Sequence, residues 1–133
     1  AKIHKKIANQ RRDTLQKTST EIANQYDVVC IEDLNMRVMS NKGFGNGKAT
    51  LDNGYGMFVR MLEYKLLERG KYLVKVSKWY ASSQICSGCG KRKKLELNER
   101  IYQCSCGLEM DRDYNAAINI KREELCILRE EAV

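Results

Sequence analysis

The 133 residues contain no proline, so no helix here is broken or kinked by one. Long apolar runs are missing as well. Nothing approaches the roughly 18 consecutive apolar residues that cross a bilayer, and no apolar signal core follows the N-terminal lysines. The expectation is a soluble, cytoplasmic chain with no membrane partner. Gly43, Gly45, Gly47, Gly54 and Gly56 do not follow a strand in the spacing of a phosphate-binding or dinucleotide-binding loop, which argues against those sites. Internal repeats and low-complexity tracts are absent. The chain also lacks an initiating methionine and starts at Ala1 directly in a helical pattern, as a fragment would.

Acidic residues are in the minority, 17 against 24 Lys and Arg, which leaves a formal charge of +7. Such a balance favours polyanionic partners, nucleic acid or an anionic membrane surface, without choosing between them. The length suits one domain with a modest core and room for a small metal-held insertion.

Ile3, Ile7, Ala8, Leu15 and Ile22 fall near one helical face, and predict a first helix over about 1–25. That segment carries Lys2, Lys5, Lys6, Arg11, Arg12 and Lys17 against Asp13 and Glu21, a solvated face or a phosphate-contacting one. Residues 27–32 predict a buried strand ending at Glu32. A glycine-rich surface loop is expected over 41–56, then an amphipathic helix with Met57, Phe58, Met61, Leu62 and Leu66 that stops at Gly70. Residues 71–77 suggest a second strand, 81–110 a cysteine-rich insertion, and 113 to about 130 a last helix using Ala116, Ala117, Ile120 and Ile127. Alternating helix and strand around an insertion point to an α/β fold interrupted by a zinc ribbon.

Cys86-Ser-Gly-Cys89 and Cys104-Ser-Cys106 carry the strongest chemical signal in the chain. Two tight cysteine pairs on glycine-bearing turns can supply the four tetrahedral corners of a zinc ion, and two such knuckles joined by a hairpin make a ribbon. Leu95–Leu97 and Arg100–Gln103 are its candidate strands. A disulfide framework is the alternative, which the absence of a secretory signal disfavours. Four thiolates would close the coordination shell, so the metal would be structural. Cys30 and Cys126 stand apart in apolar surroundings and are expected to pack as small hydrophobes. Lys91, Arg92, Lys93 and Lys94 project from the first knuckle, beside Trp79, Tyr80 and Arg100, as a candidate phosphate-contacting cluster or a solvated turn.

Glu32, closing a strand, and Asp113, opening the last helix, are the acids best placed to hold Mg²⁺ for phosphodiester chemistry. Both positions also have bland uses, since a strand-terminal Glu is common and Asp113 can cap a helix.

Ile31-Glu32-Asp33-Leu34-Asn35, Leu62-Glu63-Tyr64-Lys65, Ser83 to Gly90 and Asp111-Arg112-Asp113-Tyr114-Asn115-Ala116-Ala117-Ile118-Asn119-Ile120, in this order, resemble the C-terminal half of the transposon-encoded OrfB/TnpB proteins. The opening helix, with His4, Lys6, Ile7, Asn9, Gln10, Arg11 and Asp13, is similar to the family's segment ahead of its Glu-bearing strand. The resemblance implies a partial RuvC-like, RNase H-type fold with an inserted four-cysteine zinc ribbon, in a relative of type V CRISPR effectors. It implies a division into 1–80 as partial nuclease domain, 81–110 as ribbon and 111–133 as final helix segment.

The implied activity is RNA-guided cutting of DNA, with guide RNA and DNA as partners, structural Zn²⁺ and catalytic Mg²⁺. Proteins of this kind are commonly called transposases. Glu32 matches the family's second catalytic carboxylate and Asp113 the third, with Asp111 the weaker neighbour. The first carboxylate belongs to a strand ahead of this region, so the chain alone is expected to be a poor nuclease. A non-catalytic zinc-ribbon module that binds nucleic acid, and a purely structural subunit, are the other readings.

Overall fold

The computed structural model describes residues 1–33, 54–77 and 79–131. Along the described chain run α1 (Lys2–Gln25), β1 (Val28–Glu32), α2 (Tyr55–Glu68), β2 (Tyr72–Val76), β3 (Ile101–Gln103), β4 (Glu109–Asp111) and α3 (Arg112–Glu131). The expected glycine-rich loop lies outside the described residues up to position 53. Its last part is a helix start instead, since Gly54 is the N-cap of α2 and Gly56 lies within it.

Two compact units divide the described residues, 1–29 with 54–73 and 30–33 with 74–131. In the first, Ala23, Leu62 and Leu66 form a small core, with Ile22, Val29, Phe58 and Leu73 packed against it. The middle of this helix pair is polar. Lys65 is 6% exposed, and the three protons of its Nζ are shared among four oxygens of α1, Gln16 O (2.8 Å), Gln16 Oε1 (2.8 Å), Ser19 Oγ (2.7 Å) and Thr20 Oγ1 (2.9 Å). Further along both helices, Arg69 Nε donates to Asn24 Oδ1 at 2.9 Å, so α1 and α2 run in the same direction.

Among the described residues, the predicted apolar face of α1 is covered only in its second half. Ile3 is 73% and Ile7 47% exposed, and Ala8 is exposed too. Length explains this: 24 residues of helix reach about 36 Å and the 14 of α2 about 21 Å, so α2 cannot cover all of α1.

β1 and β2 form a two-stranded sheet. Tyr72 N donates to Asp27 O where both strands begin, and Asp33 N to Val76 O where both end, so they run parallel. A parallel pair needs a long crossover, which contains α2 here. In the run Val28–Ile31, Val28 is exposed and the other three are half-buried rather than buried, because each of these two strands has a neighbour on one side among the described residues.

The interior of the second unit is unusually polar. Val76, Cys86 and Tyr102 are buried together with Ser82, Ser87, Asn115, Asn119 and Glu124. α3 therefore buries Asn115 and Asn119 on one face and Glu124 on another, whereas Ala117, expected inside, is exposed. Asn115 and Asn119 meet backbone of the first knuckle, whose amides and carbonyls need polar partners. Cys126 is exposed, against expectation, although it shares the helical face of Asn115 and Asn119; Cys30 is half-buried and has Glu124 and Lys121 of α3 in its electrostatic surroundings.

Candidate metal centre and carboxylates

Each cysteine pair sits on a hydrogen-bonded turn. In the first, Cys86 N donates to Lys91 O, Gly90 N to Cys86 O, and Gly88 N to Cys86 Sγ at 3.3 Å. An isolated bridge between Ile85 and Arg92 closes this knuckle. In the second, Cys104 N donates to Leu108 O and Gly107 N to Cys104 O. Gly107 has φ +96°, a backbone state that L side chains rarely adopt, and this lets the tighter Cys-x-Cys pair turn.

The ribbon differs from the expected one. β3 pairs antiparallel with β4 across the second knuckle, with Ile101 opposite Asp111, Tyr102 opposite Met110 and Gln103 opposite Glu109. Leu95–Leu97 forms no strand, and Leu97 is 94% exposed. The second knuckle is itself the hairpin turn, so the segment after it supplies the partner strand.

The four sulfurs of Cys86, Cys89, Cys104 and Cys106 all lie within 4.8 Å of one another. Cys86 Sγ is 3.6 Å from Cys106 Sγ, and Cys89 Sγ is 3.6 Å from Cys104 Sγ. Four sulfurs about 2.3 Å from a tetrahedral ion would be about 3.8 Å apart, so the cluster fits a metal ion. These separations are far longer than a disulfide bond, and all four cysteines are free. Space for the ion is guarded closely: a Cβ on Gly88 would sit 3.5 Å from Cys106 Sγ, 3.6 Å from Cys86 Sγ and 3.1 Å from Leu108 Cδ1.

The thiols do not share charge evenly. A backbone hydrogen bond from Cys106, aided by hydrogen bonds with the neighbouring thiols, pulls Cys104 down to about 6. A backbone hydrogen bond from Leu108 also lowers Cys106, but Cys104 and Cys86 outweigh it and leave Cys106 at about 11. One thiolate forms readily, and the next is opposed by it unless a cation joins the cluster.

The first knuckle is gripped by α3. Asn115 Oδ1 accepts from Ser87 N at 2.9 Å, and its Nδ2 donates to Ile85 O at 2.7 Å. Asn119 Nδ2 donates to Ser82 O (2.8 Å) and Ile85 O (2.7 Å), and Arg122 Nη1 donates to Ser87 O. The buried Tyr102 hydroxyl donates to Gln84 O at 3.0 Å. Sequence reasoning placed none of these residues in the site. One signal was available, since Asn115 and Asn119 are four apart and so share a helix face.

The acids separate into roles. Asp111 Oδ1 accepts from Asp113 N at 2.9 Å and Tyr114 N at 3.0 Å, which makes Asp111 the residue that closes the start of α3. Asp113 is thereby relieved of capping, and its side chain is 78% exposed, with Arg112 Nε 3.8 Å away. Glu32 ends β1 half-buried, and loss of water around its carboxyl raises its pKa above the ordinary value. Among the described residues, the four cysteines are the one group of three or more potential ligands brought together, and neither Glu32 nor Asp113 belongs to it. Lys91, Arg92, Lys93 and Lys94 are exposed. Two of them also tie the ribbon together, Arg92 Nε to Gln84 Oε1 at 3.0 Å and Lys93 Nζ to Gln103 O at 3.3 Å.

Residues 55–120 match the family model described as Cas12f1-like, TNB domain, and residues 1–43 match the OrfB/IS605 model, described as a probable transposase. The two matches together place successive parts of the chain in likeness to OrfB/TnpB-type proteins. A candidate RNA-guided DNA endonuclease from Streptomyces pristinaespiralis is 40% identical over 121 residues, 90% of this chain and 30% of that protein. TnpB-like protein L79 of Acanthamoeba polyphaga mimivirus is 34% identical over 125 residues, 90% of this chain and 24% of the relative. The chain thus spans under a third of either relative. Among solved structures, Cas12f1 in complex with sgRNA and target DNA matches with a TM-score of 0.66 at 25% identity, over 88% of this chain and 35% of that one. The expected α/β, RuvC-like fold carrying a four-cysteine ribbon agrees with that likeness. Among the described residues, no helix is long and apolar enough to cross a membrane.

Proposed function

We propose that the chain is the C-terminal part of a transposon-associated, RNA-guided DNA endonuclease, in which Glu32 and Asp113 bind Mg²⁺ and the four-cysteine site holds structural Zn²⁺. The observation that carries this reading is the helix start next to the ribbon. Asp111 takes the cap, and Asp113 is left exposed where it can act as an oxygen ligand. Support comes from the names of the relatives, which describe RNA-guided DNA endonucleases, and from the likeness to a Cas12f1 complex with guide and target.

Zn²⁺ is favoured because soft thiolates in a tetrahedron select it, and a reducing, cytoplasmic setting keeps them available. On this reading 81–110 serves as a ribbon set into a nuclease framework of 1–80 and 111–133. Glu32 and Asp113 bind and orient the cation with carboxylate oxygens, and the half-buried setting of Glu32 limits water around its carboxyl. Mg²⁺, once bound, would activate water and stabilise the leaving oxygen of the phosphodiester. Lys91, Arg92, Lys93 and Lys94 contact backbone phosphates of DNA or guide RNA.

The test uses a complete protein that contains this chain, with its guide RNA. Glu32→Gln and Asp113→Asn, which keep size and delete the charge, are each expected to lower Mg²⁺-dependent cleavage by at least about 100-fold. Cleavage at the parental rate in both variants would refute the assignment. Retained guide and target binding with no cleavage even in the parent would favour the runner-up, a nucleic-acid-binding ribbon, which the exposed basic knuckle also fits.

A further inference from the structure

Cys86 is held from outside its own knuckle. The single carboxamide of Asn115 closes both peptide groups that flank this cysteine, Ile85 O on one side and Ser87 N on the other. Asn119, one turn further on, donates to Ile85 O as well and to Ser82 O. Asn115 is fully buried and Asn119 nearly so, where a polar group that loses its partners has no water to replace them.

The second knuckle reaches the same helix by another route. It leads through Leu108 into β4, β4 ends at Asp111, and the Asp111 carboxylate receives the N–H groups of Asp113 and Tyr114. The first turn of α3 is therefore tied to the first knuckle by Asn115 and to the second by Asp111. A metal ion joining Cys86 and Cys89 to Cys104 and Cys106 would turn these two tethers into a closed ring. Without it, the knuckles are joined less firmly and the two tethers no longer reinforce each other.

We propose that Asn115 and Asn119 are positioning residues that couple metal occupancy of the four-cysteine site to the order of the first turn of α3, and so to the placement of Asp113. The link stands on hydrogen bonds. Its meaning for cleavage rests on the reading of Asp113 as an Mg²⁺ ligand. Coupling of this kind is reciprocal, so loosening α3 also loosens the metal.

The experiment measures backbone hydrogen exchange in the 133-residue chain, loaded with Zn²⁺ and stripped by a chelator. In the parent, stripping is expected to speed exchange at residues 113–119 by about tenfold or more, a usual size for coupled sites, with α1 and α2 unchanged. In Asn115→Ala loaded with Zn²⁺, residues 113–119 should already exchange at the stripped rate, while β3 and β4 still respond to the metal. A merely structural role would instead speed exchange in both metal states and in β3, β4 and α3 alike.

Reciprocity adds a second readout, Zn²⁺ affinity measured at equilibrium against a chromogenic chelator, expected to be about tenfold weaker in Asn115→Ala. Asn119→Ala keeps the bracket around Cys86 and should lose part of the effect, which covers the case in which Asn115→Ala does not fold. No response of α3 to stripping in the parent, or parental metal-dependent protection in the variants, overturns the coupling. If the exchange result holds and Asp113→Asn still cuts in the complete protein, it is the nuclease assignment that fails and not the link.

Discussion

Replacing Asp111 and Asp113 one at a time should separate stability from chemistry within three residues of chain. Asp111 Oδ1 accepts two helix N–H groups, at 2.9 and 3.0 Å, and places a carboxylate at the positive end of α3. Loss of such a cap costs about 1 kcal/mol, and loss of a charge near a helix N-terminus adds a few tenths more. Asp111→Ala is thus expected to destabilise the Zn²⁺-loaded chain by about 1–2 kcal/mol, a fall in Tm of roughly 3–8 °C at this size. Asp111→Asn keeps the acceptor oxygen and should cost less than half as much. Asp113 lies on the exposed side of the same turn, so Asp113→Asn should shift stability by no more than about 0.5 kcal/mol. Urea denaturation followed by far-UV circular dichroism reads both. If Asp113→Asn destabilised the chain as much as Asp111→Ala, Asp113 would be a structural acid and its freedom to bind Mg²⁺ would be lost as an argument.

Elemental analysis of the purified chain should find about one zinc per molecule, since each four-thiolate site holds one ion; Cys86→Ser should lose it, and unchanged zinc content in that variant would remove the assignment. Changing Lys91, Arg92, Lys93 and Lys94 to Ala should flatten the salt dependence of nucleic-acid binding, by at most about 3.6 in the slope of log K against log salt; an unchanged slope would exclude them from phosphate contact. Burial raises the pKa of Glu32, so the folded chain holds that proton more tightly than the unfolded one, and stability falls as pH rises from the ordinary Glu range through the raised value. Glu32→Gln should therefore raise Tm above that interval and give no gain below it; Tm measured for both chains from about pH 4 to 8 decides, and an equal gain at all pH values would refute the cause.

Local patterns were legible in the sequence and long-range partners were not. Helix and strand positions from Lys2 to Val76 follow from apolar spacing, and the metal centre follows from cysteine spacing, because both depend on neighbours a few residues away. Leu95–Leu97 reads as a strand by its alternation and Glu109–Asp111 does not, yet it is Glu109–Asp111 that pairs with Ile101–Gln103. In α3 the alanines and isoleucines drew attention as a core face. The packed side was chosen by the carbonyls of Ser82 and Ile85 and the amide of Ser87, which lie about 30 residues away in the chain. The division of labour between Asp111 and Asp113 was equally hidden, since either aspartate can cap a helix and only the geometry shows which one does.

The Lys65 ammonium, surrounded by oxygens of Gln16, Ser19 and Thr20, has a consequence for which α1–α2 pairing the chain can adopt. Two apolar faces as small as these could slide past each other by a turn at little cost. A cation among neutral oxygens could not. Moving α1 along by one turn would carry those oxygens about 5 Å away and put Ala23 or Leu15 where Ser19 now stands, so the desolvated charge would lose partners. Misaligned pairings are thus penalised far more than the native one is rewarded, which is how a small core can still specify a single alignment. The same demand excludes Arg at position 65: its planar fork cannot converge on four oxygens arranged around a point.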